Sequence, residues 1–211
     1  MPKNWHKEIL AQKVVDALKK NNFNADYVPT KEAAKQKILD LIEGSNSIGI
    51  VGSMTVVELG VLEEMEKDGK ELLNHALATL SPDEKMAVRR KQLTCDCLIC
   101  STNAVTMDGK LVNVDGAGNR VSAMIFGPKK VIVVAGINKI TKDIDAAMER
   151  IEMYAAPMNN KRLKYANPCI KAGICMDCTA DTRICNVTTI LRKKPMFTDI
   201  NIIIVGEELG Y

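Results

Sequence analysis

Two spacings of apolar residues alternate along the chain, and each predicts a different kind of element. Apolar residues at helical intervals predict helices over residues 5–20, 30–44, about 54–67 and 143–154. A capping box with proline at the first helical position predicts that a further helix begins at Ser81-Pro82-Asp83-Glu84. Short runs of apolar and β-branched residues predict strands over residues 25–29, 47–51, 95–101, 129–136 and 200–205.

A turn signal lies between two further strand-like runs, where Asp108-Gly109 predicts the tight turn of a β-hairpin. Strands that alternate with helices are typical of an α/β fold. The sequence therefore predicts an α/β fold with a mostly parallel sheet flanked by helices, one β-hairpin and a cysteine-rich loop segment. The 211 residues are enough for one domain, and we expect residues 1–211 to form it.

Composition and charge narrow the classes of function. Apolar residues make up 46% of the chain, but no apolar run is long enough to cross a membrane. Residues 1–10 are polar and lack the features of a signal peptide, so we expect a cytoplasmic protein. The net charge is only +3 and no long basic run is present, so we expect neither a nucleic-acid partner nor a membrane partner.

Four of the seven cysteines lie within the stretch NPCIKAGICMDCTADTRICN, residues 167–186. Cys169, Cys175, Cys178 and Cys185 follow the pattern C-x5-C-x2-C-x6-C. A cytoplasmic protein keeps its thiols reduced, and an odd number of cysteines argues against a simple disulfide framework. Four thiolates with no histidine nearby are typical ligands of zinc or of an iron–sulfur cluster.

The surroundings of these cysteines also favour a metal centre. Residues 153–176 contain no acidic residue and four cations, Lys161, Arg162, Lys164 and Lys171. Such cations favour thiolate over thiol. A zinc ribbon has two C-x2-C pairs and this segment has one, so we expect a four-iron (4Fe–4S) cluster, with zinc as the alternative. We expect residues 158–190 to form a cysteine-rich, metal-binding insertion.

The remaining cysteines, Cys95, Cys97 and Cys100, lie in a predicted strand. Alternate residues of a strand point to opposite faces, so Cys97 and Cys100 cannot converge on one ion. We interpret these three as small apolar residues of a buried strand.

Two stretches have the character of a binding site for a small anion. Residues 51–60 form a strand–turn–helix junction, where Ser53 and Thr55 are placed to bind a phosphate or carboxylate. The alternative is structural, because Thr55-x-x-Glu58 has the pattern of a capping box.

Residues 101–120 present polar side chains after a buried strand, followed by a glycine-rich loop with Gly116 and Gly118. Asn103 and Asn119 add amides, and Arg120 has the geometry to bind a carboxylate or phosphate through two hydrogen bonds. Asp115 is a candidate general base, or it closes the turn. A well-capped hairpin followed by a loop is the alternative to a binding site.

Four segments together resemble the lactate utilization (LUD) domain family: GSMTVVELG (52–60), residues 101–140, PCIKAGICMDCTADTRICN (168–186) and INIIIVGEELGY (200–211). The resemblance implies a fold similar to ribose phosphate isomerases, glucosamine phosphate deaminases and CoA transferases, in which loops at the carboxyl ends of strands bind small acidic ligands. It implies the ligand-binding residues Ser53, Thr55, Asn103, Asp115, Gly116, Gly118, Asn119 and Arg120.

These observations lead to three functional hypotheses. The first is an iron–sulfur component of small hydroxy-acid oxidation, such as that of lactate, which needs a redox partner subunit. The second is a non-redox enzyme of the CoA-transferase or isomerase kind, with structural zinc and with Asp115 or Glu58 as its catalytic carboxylate. The third is a ligand-binding module without catalysis. The sequence leaves open whether the chain forms a homo-oligomer.

Overall fold

The computed structural model describes residues 2–211. The α-helices are α1 (Pro2–Lys20), α2 (Lys31–Leu41), α3 (Met54–Glu58), α4 (Leu62–Lys67), α5 (Pro82–Lys91), α6 (Asn119–Phe126), α7 (Ile144–Arg150), α8 (Ala156–Arg162) and α9 (Cys169–Ala172). The strands are β1 (Asn24–Val28), β2 (Ser47–Ile50), β3 (Glu71–Asn74), β4 (Cys97–Ser101), β5 (Ala104–Thr106), β6 (Leu111–Asp115), β7 (Lys130–Gly136), β8 (Ile140–Thr141), β9 (Val187–Leu191) and β10 (Asp199–Val205). A 3-10 turn (Ile137–Lys139) follows β7, and a π-helix (Ile151–Ala155) joins α7 to α8.

A six-stranded sheet forms the centre of the fold, with the strand order β1-β10-β7-β4-β2-β3. Every pairing in it is parallel. Residues 131–135 of β7 are fully buried, which explains the unbroken apolar run there, because helices cover both faces of the sheet. The predicted α/β class with a mostly parallel, helix-flanked sheet is confirmed.

The two faces of the sheet carry separate apolar clusters. On one face, α1 packs Val14 and Leu18 against Val131 and Ile202. On the other face, α2 contributes Ile38, which packs in the cluster of Ile48 and Ile203. Cys100 belongs to the first cluster and Cys97 to the second, so these two thiols lie on opposite faces as strand alternation predicts.

A second, smaller sheet has the order β8-β5-β6-β9. The antiparallel pair β5–β6 is the predicted hairpin, with Gly109 at φ +79° in its turn. A Cβ at Gly109 would stand 2.6 Å from the carbonyl carbon of Ala17 in α1, so only glycine fits there. The side chain of Asn21 donates to the backbone oxygens of Asp108 and Gly109, which fixes the hairpin tip against the end of α1.

Two details differ from the prediction. The single helix expected over 54–67 is wrong, because the chain breaks between α3 and α4 at Gly60, whose φ is +62°. Strand β3 was not predicted, since its four residues contain only two apolar ones, Leu72 and Leu73, and it lies at the edge of the sheet.

The helix predicted over 143–154 continues through the π-helix into α8. Consequently the segment 158–190 begins inside α8 and ends inside β9, and the cysteine-rich loop between them is shorter than expected. None of the helices described over residues 2–211 combines the length and the apolar character needed to cross a bilayer.

Candidate functional site

A cavity of about 540 Å³ lies where the strands of the large sheet end. Its wall includes Gly52 after β2, His75 after β3, Ser101 at the end of β4 and Lys139 after β7. The carboxyl ends of parallel strands meet at one edge, which is where open α/β sheets bind their ligands. We call this space the anion cavity.

The anion cavity brings together most of the residues that the sequence singled out. Those that line it are Ser53, Thr55, Asn103, Asp115, Gly116, Asn119 and Arg120. Gly118 lies in the same loop, at the start of α6, but is not part of the wall.

Glu58 also lies outside the wall, and its carboxylate accepts a hydrogen bond from the backbone N–H of Gly210 at 2.7 Å. The capping box expected at Thr55 and Glu58 is wrong. Ser53 caps α3 instead, accepting from the N–H of Val56, and Thr55 lies within the helix.

Arg120 is tied to the protein by every donor of its guanidinium. Nε and Nη2 donate to Asp115, Nη1 donates to the carbonyl of Ser101 and to Asn113, and Nη2 also donates to Asn103 and to the carbonyl of Val114. The pair of Arg120 with Asp115 is nearly buried, with side-chain exposures of 14% and 8%. Arg120 therefore joins the end of β4 to the β6–α6 loop and positions the wall of the cavity.

Asp115 also holds the β6–α6 loop in place, through bonds to Arg120 and to the start of α6. Its second carboxylate oxygen accepts from the backbone N–H of Val121 at 3.1 Å, in the first turn of α6. The alternative role weighed for Asp115, closing the loop, thus has the geometric support, and a role as general base stays a prediction.

Lys139 is the residue of the cavity that sequence reasoning missed. It is 3% exposed, and its Nζ donates to the hydroxyls of Thr55 at 2.8 Å and Ser101 at 2.9 Å, and to the carbonyl of Thr102 at 3.4 Å. Burial, together with the nearby cations of Arg150 and Arg120, lowers its pKa to about 7. A lone lysine directly after the apolar run of β7 was the signal that could have identified it.

The rest of the wall is strongly cationic. Lys85 and Arg89 project from one face of α5, and Arg162 from α8. Among the described residues that line the anion cavity, Asp115 is the single acid, and Arg120 neutralises it. Burial lowers the pKa of His75 and the nearby Arg89 adds to that shift, which favours the neutral imidazole. The field in the cavity therefore attracts anions.

The four clustered cysteines line a second, smaller space, which we call the thiol cavity. Cys169, Cys175, Cys178 and Cys185 share this wall with Ala156, Asn160, Met176 and Arg183. All four are free thiols. Burial raises the pKa of Cys185 to about 11, and the neighbouring thiol of Cys175 adds to the shift. Mutual repulsion of this kind means that four thiolates at this place require a cation to compensate their charge.

The fit of a metal centre to these thiols can be tested on their arrangement. Within residues 2–211, no three His, Cys, Asp or Glu side chains are grouped so that they could hold one metal ion as they stand. A single zinc requires thiolates about 3.8 Å apart, given Zn–S bonds of about 2.3 Å in a tetrahedron. A four-iron cluster holds its cysteines farther apart, because each sulfur binds a different iron. Four soft donors around one space are the ligand type that zinc and iron–sulfur clusters share.

The two cavities are neighbours with a common wall. Ala155 lines the anion cavity and Ala156 the thiol cavity. In the cysteine loop, Ile184 likewise lines the anion cavity and the next residue, Cys185, lines the thiol cavity. The backbone N–H of Cys175 donates to the carbonyl of Glu152 in the π-helix at 2.8 Å, which holds the cysteine loop against this wall. π-Helices occur frequently at functional sites.

The other three cysteines are buried, Cys95 just before β4 and Cys97 and Cys100 within it. Burial raises the pKa of Cys97 and of Cys100 to about 12, so both stay protonated in the core. Their interpretation as small apolar residues agrees with this burial.

Comparison with known proteins establishes the family. The family model of the LUD domain matches residues 11–205, which is almost the whole chain. The chain belongs to the LUD domain family. That family is associated with lactate utilization, and the match includes the residues that line both cavities except Tyr211.

A search of solved structures agrees with this LUD assignment. The chain is similar to a DUF162 family protein from Deinococcus radiodurans whose crystal structure is known, with a TM-score of 0.54. The identity is 11%, and the alignment covers 94% of this chain and 98% of the other. At this identity the similarity concerns the fold alone. No curated protein matches the chain.

Proposed function

We propose that this LUD domain is an iron–sulfur-binding component of small 2-hydroxy-acid oxidation, with lactate as the type of substrate. The acid binds in the anion cavity, and Cys169, Cys175, Cys178 and Cys185 hold a four-iron cluster. Both parts draw on the family association and on the chemistry of the donor sets.

The observation that carries this proposal is the common wall of the two cavities. Successive residues of one helix, Ala155 and Ala156, face the two spaces in turn. A substrate in the anion cavity would thus lie next to the helix that also lines the thiol cavity. Electron transfer benefits from such proximity, and an unrelated structural metal site has no need of it.

The chain's own residues have distinct parts in this scheme. Lys85, Arg89 and Arg162 attract and hold the carboxylate, while Arg120 and Asp115 keep the loop in place. Oxidation of a 2-hydroxy acid to the 2-oxo acid releases two electrons and two protons. When bound, a four-iron cluster supplies one-electron transfer. A redox partner subunit is therefore needed as the final acceptor of the two electrons.

Metal analysis after anaerobic purification tests the cluster. We expect a brown protein with iron and acid-labile sulfide, and we expect Cys175→Ser to lose both and to loosen the segment 158–190. The matched control is Cys95→Ala, which removes a buried thiol outside the thiol cavity and is expected to keep the iron. A colourless parent protein with one zinc per chain would contradict the redox proposal, as would iron retained in Cys175→Ser.

A second candidate is a non-redox enzyme of the CoA-transferase or isomerase kind, or a binding module, with zinc at the thiols. The observation that favours the enzyme is Lys139, a buried amine with a lowered pKa in the wall of the anion cavity. Such a group catalyses proton transfer or covalent chemistry without electrons. The zinc outcome of the metal analysis would favour this candidate.

A further inference from the structure

We propose that Lys139 is a nucleophilic amine that captures the carbonyl carbon of a small 2-oxo acid as an imine. The inference rests on the anion-binding part of the proposed function and is independent of the metal. It adds a covalent step and a substrate class to a residue that the proposed oxidation leaves without a role.

The position of Lys139 is the first argument. The residue follows β7 through a 3-10 turn, and its Nζ reaches across the carboxyl edge of the sheet to the end of β4 and to α3. It is almost fully buried and yet belongs to the wall of the anion cavity. A ligand that fills the cavity therefore lies against a side chain that the protein otherwise encloses.

The partners of Nζ form the second argument. A buried lysine that serves only structure is normally paired with a carboxylate. Among residues 2–211, no acidic side chain lies within 4.0 Å of the amine of Lys139. The hydroxyl of Ser101 accepts from Nζ and donates to the carbonyl of Thr102, which Nζ also reaches at 3.4 Å. This hydroxyl can therefore turn and donate to a free amine while Nζ keeps the carbonyl of Thr102 satisfied. Lys139 can therefore lose its proton without leaving a buried group unsatisfied.

The charges around Lys139 favour the free amine. Arg150 and Arg120 face it as cations, while Glu58 and the Cys100 thiol oppose them weakly. Together with burial they bring the pKa to about 7, so a large share of the amine is unprotonated near neutral pH. A lysine desolvated beside another cation is a recognised form of activated amine nucleophile.

The proposed step balances without any co-reactant. The lone pair of Nζ attacks C2 of the oxo acid, and the carbonyl oxygen becomes a hydroxyl group. That oxygen leaves as water with the two protons of the amine, and a C=N bond forms between C2 and Nζ. The carboxylate of the acid meanwhile lies in the cationic field of Lys85, Arg89 and Arg162.

Borohydride trapping with pyruvate tests this step. The full-length protein is incubated with pyruvate, reduced with borohydride and mapped by peptide mass spectrometry. We expect a carboxyethyl group on Lys139 at high occupancy, and only background labelling of exposed lysines such as Lys142. Lys142→Met is the matched control and keeps the adduct, whereas Lys139→Met loses it.

The parent peptide map alone decides the matter, so it holds even where Lys139→Met fails to fold. Labelling of Lys139 no greater than that of surface lysines would overturn the imine. Calorimetry of pyruvate and lactate with the untreated protein separates the two proposals. Binding without an adduct leaves the anion cavity standing and removes the covalent step; absence of binding overturns both, whatever the iron content.

Discussion

The two cavities share a wall but are built in opposite ways. In the anion cavity, every N–H donor of the Arg120 and Lys139 side chains is hydrogen-bonded to a protein acceptor. These bonds join residues that are distant in the sequence, such as Thr55 and Lys139. In the thiol cavity, one hydrogen bond to a cysteine sulfur is present among the described residues, from the N–H of Asp177 to Cys175 at 3.4 Å. The first cavity is organised by the chain itself.

The second cavity is held only from outside. Asn167 donates to Asn160 at 2.6 Å and to the carbonyl of Thr182 at 2.9 Å, and Arg183 donates to the carbonyls of Cys178 and Cys185. These bonds fix the ends and the backbone of the loop and leave the sulfurs free. The difference teaches what each proposed ligand would have to do: an anion would meet a preformed site, whereas a metal centre would have to order the sulfurs that bind it.

The largest expected effect concerns the metal-dependent order of the cysteine loop. Loading the apoprotein with iron and sulfide should slow amide exchange across residues 173–186 by about a hundredfold, because local opening then requires loss of the cluster. Hydrogen exchange with mass spectrometry measures this, with α1 as the internal control. Equal exchange rates in the two forms would mean that the loop is as preformed as the anion cavity.

A smaller effect is expected when the preformed cavity loses its central arginine. Arg120→Met leaves Asp115 buried and without its cation, which should lower the free energy of unfolding by about 3 kcal/mol. Urea denaturation of the metal-free protein measures it. The comparison variant is Arg183→Met in the cysteine loop, whose ion-pair partner Asp177 is 90% exposed, and we expect a much smaller loss there. Similar losses of unfolding free energy in both variants would show that the two cavities do not differ in this way.

The smallest effect is a pH dependence of stability that comes from Lys139. Its folded-state pKa of about 7 is below its unfolded value, so between these values the unfolded state binds more protons and stability rises with pH. We expect the free energy of unfolding of the parent to gain about 2 kcal/mol from pH 7 to pH 9 relative to Lys139→Met.

Denaturation at both pH values, on parent and variant, checks this difference. Below pH 7 the lysine is protonated in both states and the penalty of burying the charge is constant, so the two curves should run in parallel there. A parent and a variant that stay parallel up to pH 9 would show that the amine keeps its proton in the folded protein.

Local sequence signals were enough for much of the fold. Unbroken apolar runs identified β2, β7 and β10, and Asp108-Gly109 identified the hairpin, because those patterns depend on neighbouring residues alone. The short edge strand β3 lacked such a signal, whereas the β-branched run Val187–Leu191 of β9 was a signal that the prediction missed. Strand β9 is stabilised by pairing with β6, more than seventy residues earlier in the chain.

The two sites also differ in how far local sequence patterns could predict them. The spacing of the four cysteines is a local pattern, and the structure places them around one space. Lys139 acquires its character from Thr55, 84 residues away, and from Ser101, 38 residues away. The local pattern, a lysine after the apolar run of β7, marks its position but not that environment. Likewise the sequence identified Arg120 as polar and well placed, but not that all its donors are occupied.

The π-helix at Ile151–Ala155 sets the rotational phase of everything that follows it. One residue more or less turns the rest of a helix by about 100°. The wider π-turn accommodates one residue more than an α-turn, so this segment determines the angle at which α8 presents Arg162 to the anion cavity and Asn160 to the thiol cavity. The pairing of the two cavities in this chain therefore depends on the backbone of a segment that itself contributes Ala155 to their walls.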